Sequence, residues 1–315
     1  MVTVRARELG FCSGVRRAVD LACEAAARQG AVYTLGPLIH NPQVLADLKC
    51  RGVEILDAEH LPENLRGAFV IIRAHGISPG TEAELRRRGA DVIDATCPRV
   101  KSSQLKAAAY AEAGYRLFLA GEEHHAEITG IRGYYEASAG KQEGPGSEPF
   151  CAVVGCAAEA EKAAAQLQAK DAALARAQPS VQVKTALIGQ TTISAEEYRE
   201  IDQAVTRFFP DLEVARTICS ATRERQEGLR EIMGQVEAVV IAGGKKSANS
   251  LRLLAIAETA GKPCALAETP ADIPPEFTKY RSAGLASGTS TPDTVIDDIE
   301  CAMRSLPLAN SSYLR

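Results

Sequence analysis

The sequence predicts an α/β protein with parallel sheets, its elements recurring in three similar units. Three observations predict it. Short apolar runs alternate with longer helical patterns along most of the 315 residues, as in layered α/β architectures. Several of those runs are apolar throughout and stop at Gly, Ser, Thr or His, as buried parallel strands leading into functional loops do. A similar cysteine-bearing window also occurs three times.

The elements are read in chain order. Arg16–Gln29 carries a helical pattern, and the apolar run Ala31–Thr34 follows as a strand that turns at Gly36-Pro37 before His40-Asn41-Pro42. Pro42–Arg51 is the next helix, Phe69–Arg73 a strand, Pro79–Arg88 a helix and Asp91–Ile93 a strand. Pro98 suits the first position of the helix over 99–112, where no backbone N–H is needed. Arg116–Ala120 is a strand leading into a loop with His124, His125 and Glu127. The Gly/Ser/Glu/Pro-rich stretch Ala137–Pro149 reads as an exposed loop, and Ala157–Ala177 as an Ala-rich helix with a weak apolar face. Beyond it come the strand Ala186–Ile188 and the helices Ala195–Phe208 and Arg223–Met233. The strands Ala238–Ala242, Cys264–Leu266 and Ser282–Leu285 then alternate with helices Ser250–Ala260 and Pro292–Ser305. The expected units are 13–96, 97–217 with a peripheral insertion at 137–177, and 218–315 together with 1–12.

Composition narrows the function. Hydrophobic residues make up 46%, charged residues 24%, and the formal net charge is −4, which excludes disorder as the main state and lacks the basic footprint of a nucleic-acid binder. Trp is absent and aromatics are 5%, so stacking platforms for bases are scarce. No apolar run approaches the ~20 residues that span a bilayer, and Met1–Leu9 has no signal-peptide core, so no membrane partner and a cytoplasmic location are expected. The nine cysteines are then reduced thiols. No CxxC pair occurs among them, so zinc-ribbon and bacterial ferredoxin spacings are absent.

Three cysteines share a context. Glu8–Asp20 (ELGFCSGVRRAVD), Val92–Leu105 (VIDATCPRVKSSQL) and Arg216–Leu229 (RTICSATRERQEGL) each bring an extended stretch to a cysteine, then Ser or Pro, then a basic helical run. Cys12, Cys97 and Cys219 would each stand near a helix N-terminus, where the macrodipole and free N–H groups favour thiolate. Cys97 and Cys219 lie further apart than Cys12 and Cys97 by roughly the length of the 137–177 stretch. Three similar units each delivering one thiolate suit an iron–sulfur cubane with one iron left open; a Cys₃ zinc site or ordinary buried thiols suit the same residues. Cys23, Cys50, Cys151, Cys156, Cys264 and Cys301 read as packing residues.

Polar loops lie at the ends of the other strands. His40, His75 and His125 each follow a strand, while His60 lies in a charged loop and reads as incidental. IGQTTIS, GGKKSANS and SGTSTP each follow a strand and precede a helix, a placement that binds phosphate through backbone N–H groups or simply caps the helix. Together the loops suit a multiply charged phosphate. GGKKS lacks P-loop spacing, which argues against nucleotide hydrolysis.

Taken in order, GFCSGVRRAVD, GPLIHNPQV, AHGISP, DATCPRV, HHAEITGIRG, GQTTIS, TICSATRERQ, GGKKSANS and SGTSTP resemble the 4-hydroxy-3-methylbut-2-enyl diphosphate reductase family, over Gly10 to Pro292. The resemblance implies three α/β units in pseudo-threefold arrangement around a 4Fe-4S cluster, with Cys12, Cys97 and Cys219 as its ligands and one iron open. It implies His40, His75, His125, Ser247, Asn249 and Ser290 as diphosphate contacts, Glu127 as the proton-delivering carboxylate, and Thr191 beside the substrate hydroxyl. The implied activity is reductive dehydroxylation of the allylic diphosphate to isopentenyl and dimethylallyl diphosphate. The implied electron source is an external donor such as ferredoxin or flavodoxin, since no flavin or nicotinamide motif is visible. A non-redox iron–sulfur hydro-lyase acting on a phosphorylated substrate and a non-catalytic iron–sulfur sensor are the alternatives. Lys246 departs from the pattern, standing where Asn is expected.

Overall fold

The computed structural model describes residues 1–139, 148–177 and 184–307. In chain order the chain forms β1 (Val2–Arg5), α1 (Ser13–Ala26), β2 (Val32–Leu35), α2 (Pro42–Cys50), β3 (Val53–Leu56), β4 (Phe69–Ile72), α3 (Pro79–Arg87) and β5 (Asp91–Asp94). Next are α4 (Pro98–Glu112), β6 (Tyr115–Ala120), α5 (Ala126–Ala139), β7 (Cys151–Val154), α6 (Ala157–Ala177), β8 (Lys184–Gly189), α7 (Ala195–Thr206) and β9 (Glu213–Val214). Last come α8 (Ser220–Met233), β10 (Ala238–Ala242), α9 (Ala248–Thr259), β11 (Cys264–Ala267), two 3₁₀ turns, β12 (Ser282–Ser287) and α10 (Asp293–Ser305).

The strands form three four-stranded sheets, ordered β3-β2-β4-β5, β7-β6-β8-β9 and β11-β10-β12-β1, and every pairing is parallel. Numbered within each sheet in this order of appearance, all three share the strand order 2-1-3-4, with β1 from the N-terminus completing the last. Strand order reverses between the first and third strands, and open α/β sheets bind ligands at the carboxyl ends on such a switch point. The chain divides into two compact units. Met1–Val19, Ile39–Arg51 and Cys219–Arg315 hold the β11-β10-β12-β1 sheet; Asp20–Leu38 and Gly52–Ile218 hold the other two.

Why the strands are apolar throughout is visible in their packing. In β10, Ala238, Val240 and Ala242 enter one core while Val239 and Ile241 enter the core on the opposite face. β6 does the same, Leu117 and Leu119 against Phe118 and Ala120. Successive side chains point to opposite faces, so a strand covered by helices on both sides needs apolar residues at every position.

The unpredicted strands are β1, β3, β7 and β9, and each lies at a sheet edge. An edge strand keeps one exposed flank, and their residues reflect it: Val2 is 66% and Ile55 50% exposed. The stretch expected as a peripheral insertion supplies β7, which pairs with β6, and α6, whose Ala160, Ala164 and Leu167 are fully buried in the sheet's core. Of the loop expected over Ala137–Pro149, 137–139 close α5 and 140–147 lie outside the described residues.

The unpredicted helix is α5, whose Gly130 and Gly133 disfavour a helical reading. Both are needed for packing. A Cβ on Gly130 would come 2.9 Å from Gln104 Nε2, and one on Gly133 would overlap Ser78 Cβ at the N-cap of α3. We therefore expect Gly133→Ala to lower stability by about 1–3 kcal/mol through overpacking, although the same change in an open helix stabilises. Gly80→Ala, in α3 where the added methyl meets only Ser78 Oγ at 3.9 Å, should stabilise by about 0.4–1 kcal/mol. Thermal denaturation of the two variants checks the opposite signs.

Candidate functional site

All three cysteine windows fold alike. Cys12, Cys97 and Cys219 each follow the fourth strand of a sheet, β1, β5 and β9, and each immediately precedes a helix, α1, α4 and α8. Cys97 and Cys219 are N-cap residues whose side chains make no capping hydrogen bond. Val15 N–H donates to Cys12 Sγ at 3.5 Å. A residue whose sulfur replaces the usual Ser or Asp cap leaves first-turn N–H groups and the positive helix end facing that sulfur. All three are half-buried, and no cysteine among the described residues is disulfide-bonded. These donors suit a thiolate-held metal group. Burial instead pushes the Cys151 thiol up to about 12 and raises that of Cys264, which keeps both protonated and inert.

In the unit holding two sheets, the switch-point loops assemble one continuous group. The Cys97 N–H donates to Ala74 O at 2.9 Å, one residue before His75. The His75 and His125 rings meet edge-on with centroids 5.3 Å apart. The Glu127 N–H donates to His125 Nδ1 at 3.2 Å, so in the neutral ring Nε2 carries the proton and is a donor. Glu127 sits in the first turn of α5 and is 1% exposed. Both its carboxylate oxygens are engaged by Thr191: the backbone N–H donates to Oε1 at 2.7 Å and the hydroxyl to Oε2 at 2.8 Å.

Burial raises the Glu127 carboxyl to about 7, the two Thr191 hydrogen bonds offsetting part of that rise. A carboxyl of this strength holds and releases its proton near neutrality. Among the described residues no carboxylate or cation is hydrogen-bonded to it; desolvation dominates.

Gln190, which the sequence reading passed over inside GQTTIS, locks these loops. It is 1% exposed, accepts from Glu122 N–H at 3.0 Å through Oε1, and donates to Thr192 Oγ1 at 2.8 Å. Gly121 makes room for it: a Cβ there would come 2.6 Å from Gln190 Oε1.

The other unit gathers the remaining residues. The Cys12 N–H donates to Thr289 O at 3.1 Å, beside half-buried Ser290 in the loop after β12. Gly10 N–H donates to Ser287 Oγ at 3.0 Å, so the SGTSTP loop carries the Cys12 segment. The His40 carbonyl packs where a Cβ on Gly244 would overlap it, placing His40 against the loop after β10. Ser247 caps α9 through Ser250 N–H at 3.4 Å. Asn249 is 2% exposed, yet neither its Oδ1 nor its Nδ2 has a hydrogen-bond partner among the described residues. An unpaired buried amide costs about 1–3 kcal/mol, which a polar ligand at this loop would recover. Lys246 is exposed, while Lys245 pairs with Asp272 at 2.6 Å. His60 is exposed and pairs with Asp57 at 2.9 Å.

Known proteins agree on the lineage. The family model of the LytB protein matches residues 3–304. A protein of Treponema pallidum (strain Nichols) named 4-hydroxy-3-methylbut-2-enyl diphosphate reductase is 42% identical over 96% of this chain and 84% of its own length. An Aquifex aeolicus protein of the same name is 35% identical over 96% and 95%. A solved structure of (E)-4-hydroxy-3-methyl-but-2-enyl diphosphate reductase, the terminal enzyme of the non-mevalonate pathway, is 34% identical and superposes with a TM-score of 0.65, covering 96% of this chain and 99% of that one. The Plasmodium falciparum reductase structure, 23% identical with a TM-score of 0.80 over 95% of this chain and 87% of that one, shares the fold. Matched by that family model over residues 3–304 and by reductase-named relatives along nearly its whole length, the chain, with its three parallel sheets, belongs to the LytB protein family.

Proposed function

We propose that this chain is a 4-hydroxy-3-methylbut-2-enyl diphosphate reductase, converting that allylic diphosphate to isopentenyl and dimethylallyl diphosphate with two electrons and two protons, and releasing water. The observation that carries the reading beyond family membership is Glu127, a buried carboxyl raised to about 7 and doubly hydrogen-bonded by Thr191. Relatives named reductases favour neither the hydro-lyase nor the sensor alternative.

In this reading Cys12, Cys97 and Cys219 hold a 4Fe-4S cluster with one open iron. When bound, the cluster supplies electrons and a Lewis acid for the allylic hydroxyl. The chain's own groups do the rest. His40, His75, His125, Ser247, Asn249 and Ser290 bind the diphosphate: the Nε2–H of His125 and the buried Nδ2 of Asn249 are donors to phosphate oxygens. Thr191, its hydroxyl proton directed at Glu127, keeps its oxygen lone pairs for the substrate hydroxyl. Glu127 delivers the proton with which that hydroxyl leaves as water. Close packing around Gln190 and Glu127 excludes solvent from the transfer. Electrons come from an external donor protein such as a ferredoxin or flavodoxin.

Anaerobic reconstitution with iron and sulfide, followed by assay with a chemical reductant, tests the reading. The expected outcome is a brown protein that forms both isoprenoid diphosphates; a 4Fe-4S protein that turns over without added electrons, or yields neither product, sinks it. Cys12→Ser, Cys97→Ser and Cys219→Ser should each lower bound iron, whereas Cys50→Ser and Cys301→Ser, on exposed thiols, should leave it at the wild-type level.

The pH profile tests the acid. The protonated form of Glu127 is lost as pH rises through about 7, so turnover should fall on the alkaline side with that midpoint. Glu127→Gln should remove this limb and cost roughly 10²–10⁴-fold in turnover. Thr191→Val deletes a hydrogen bond that favours the carboxylate, so the limb should move to higher pH; Thr191→Ser should restore it.

A further inference from the structure

Arg225 lies in α8, six residues after Cys219, and is 4% exposed. A guanidinium this deep ordinarily faces a carboxylate, because burying an unpaired cation is expensive. Here its hydrogen bonds go to neutral backbone carbonyls. Nη1 donates to Ala221 O at 3.0 Å, and Nη2 donates to Gly10 O at 2.8 Å and to Leu9 O at 3.5 Å. Nε is buried with no acceptor among the described residues. No carboxylate among the described residues hydrogen-bonds it; Glu8 and Glu224 act on it only at longer range, and Cys12 and Cys219 would do so as cluster-bound thiolates.

The acceptors matter because of where they stand. Gly10 is two residues before Cys12, and Ala221 two residues after Cys219. One side chain therefore ties both cysteine segments of this unit together. The Gly10 peptide is held from its other side as well, by its N–H to Ser287 Oγ at 3.0 Å.

We propose that Arg225 is a positioning residue for the iron–sulfur cluster. It staples the Leu9–Cys12 segment to the start of α8, and its fixed positive charge beside Cys12 and Cys219 makes the cluster easier to reduce. The inference rests on the cysteine-ligated cluster proposed above. Adding an electron to a thiolate-ligated cluster increases its negative charge. A buried cation nearby stabilises that product more than the oxidised form, and the low-dielectric surroundings strengthen the effect.

The test is a redox titration of anaerobically reconstituted holoprotein, followed by absorbance and electron paramagnetic resonance. Arg225→Gln should lower the equilibrium constant for one-electron reduction at least tenfold, a fall of about 59 mV in midpoint. Arg225→Lys should stay within threefold of wild type. Arg230→Gln, the same charge change at an exposed position of α8, should stay within twofold. The sign separates charge from loosened packing, since admitting water would stabilise the more charged, reduced cluster and raise the midpoint. A midpoint for Arg225→Gln less than tenfold below wild type overturns the inference while leaving the reductase reading intact. Should Arg225→Gln retain no cluster, Arg225→Lys decides: a cluster with a midpoint within threefold of wild type supports the inference, and any other result overturns it. A wild-type protein that takes up no 4Fe-4S cluster overturns the reading and the inference together.

Discussion

The architecture depends on close backbone approach at the carboxyl ends of parallel strands. Each sheet places its first and third strands side by side, and the loops leaving them must pass within van der Waals distance of one another. Ser250 shows how tight this is: its hydroxyl occupies the space that a Cβ on either Gly243 or Gly288 would need. The two glycines belong to the loops after β10 and β12, so the same omission of a side chain closes both. Gly121 against Gln190 repeats the arrangement after β6 and β8. Candidate site residues stand on these loops because the switch point is where a parallel sheet leaves room for a ligand.

Around that frame the fourth strand of every sheet has a separate task. The segment that leaves it brings a cysteine to the start of a helix, where sulfur stands in place of the customary capping oxygen. Threefold use of one strand order therefore repeats the thiol, while the switch-point loops diverge in chemistry. After β2 and β4 they carry histidines, after β6 and β8 a histidine, a carboxyl and a threonine, and after β10 and β12 hydroxyls and an amide. Repetition of the backbone with divergence of the loops gives one thiol three times and a different mix of polar groups on each pair of loops.

Much of this was legible in the chain itself, for physical reasons. Central strands such as β6 and β10 are buried on both faces, so their uninterrupted apolar residues mark them. Edge strands such as Val53–Leu56, with pattern buried-exposed-exposed-buried, bury too little to stand out. Pro98 announces α4, but Gly130 and Gly133 conceal α5, because their reason lies in Gln104 and Ser78, outside the helix. For the same reason the sequence reading puts Glu127 in a loop, although it sits in the first helical turn.

The sequence by itself determined the α/β class, the central strands, the three cysteines at helix starts and the motif order that identifies the family. The first three follow from composition, local propensity and spacing, which act over a few residues, while the motif order speaks only through its resemblance to a known family. Tertiary structure alone decided the acidity of Glu127, set by burial and by Thr191 across 64 positions of chain, and the burial of Arg225 against Gly10, 215 positions away. Desolvation and hydrogen bonding depend on what surrounds a group in space, and no local pattern records that.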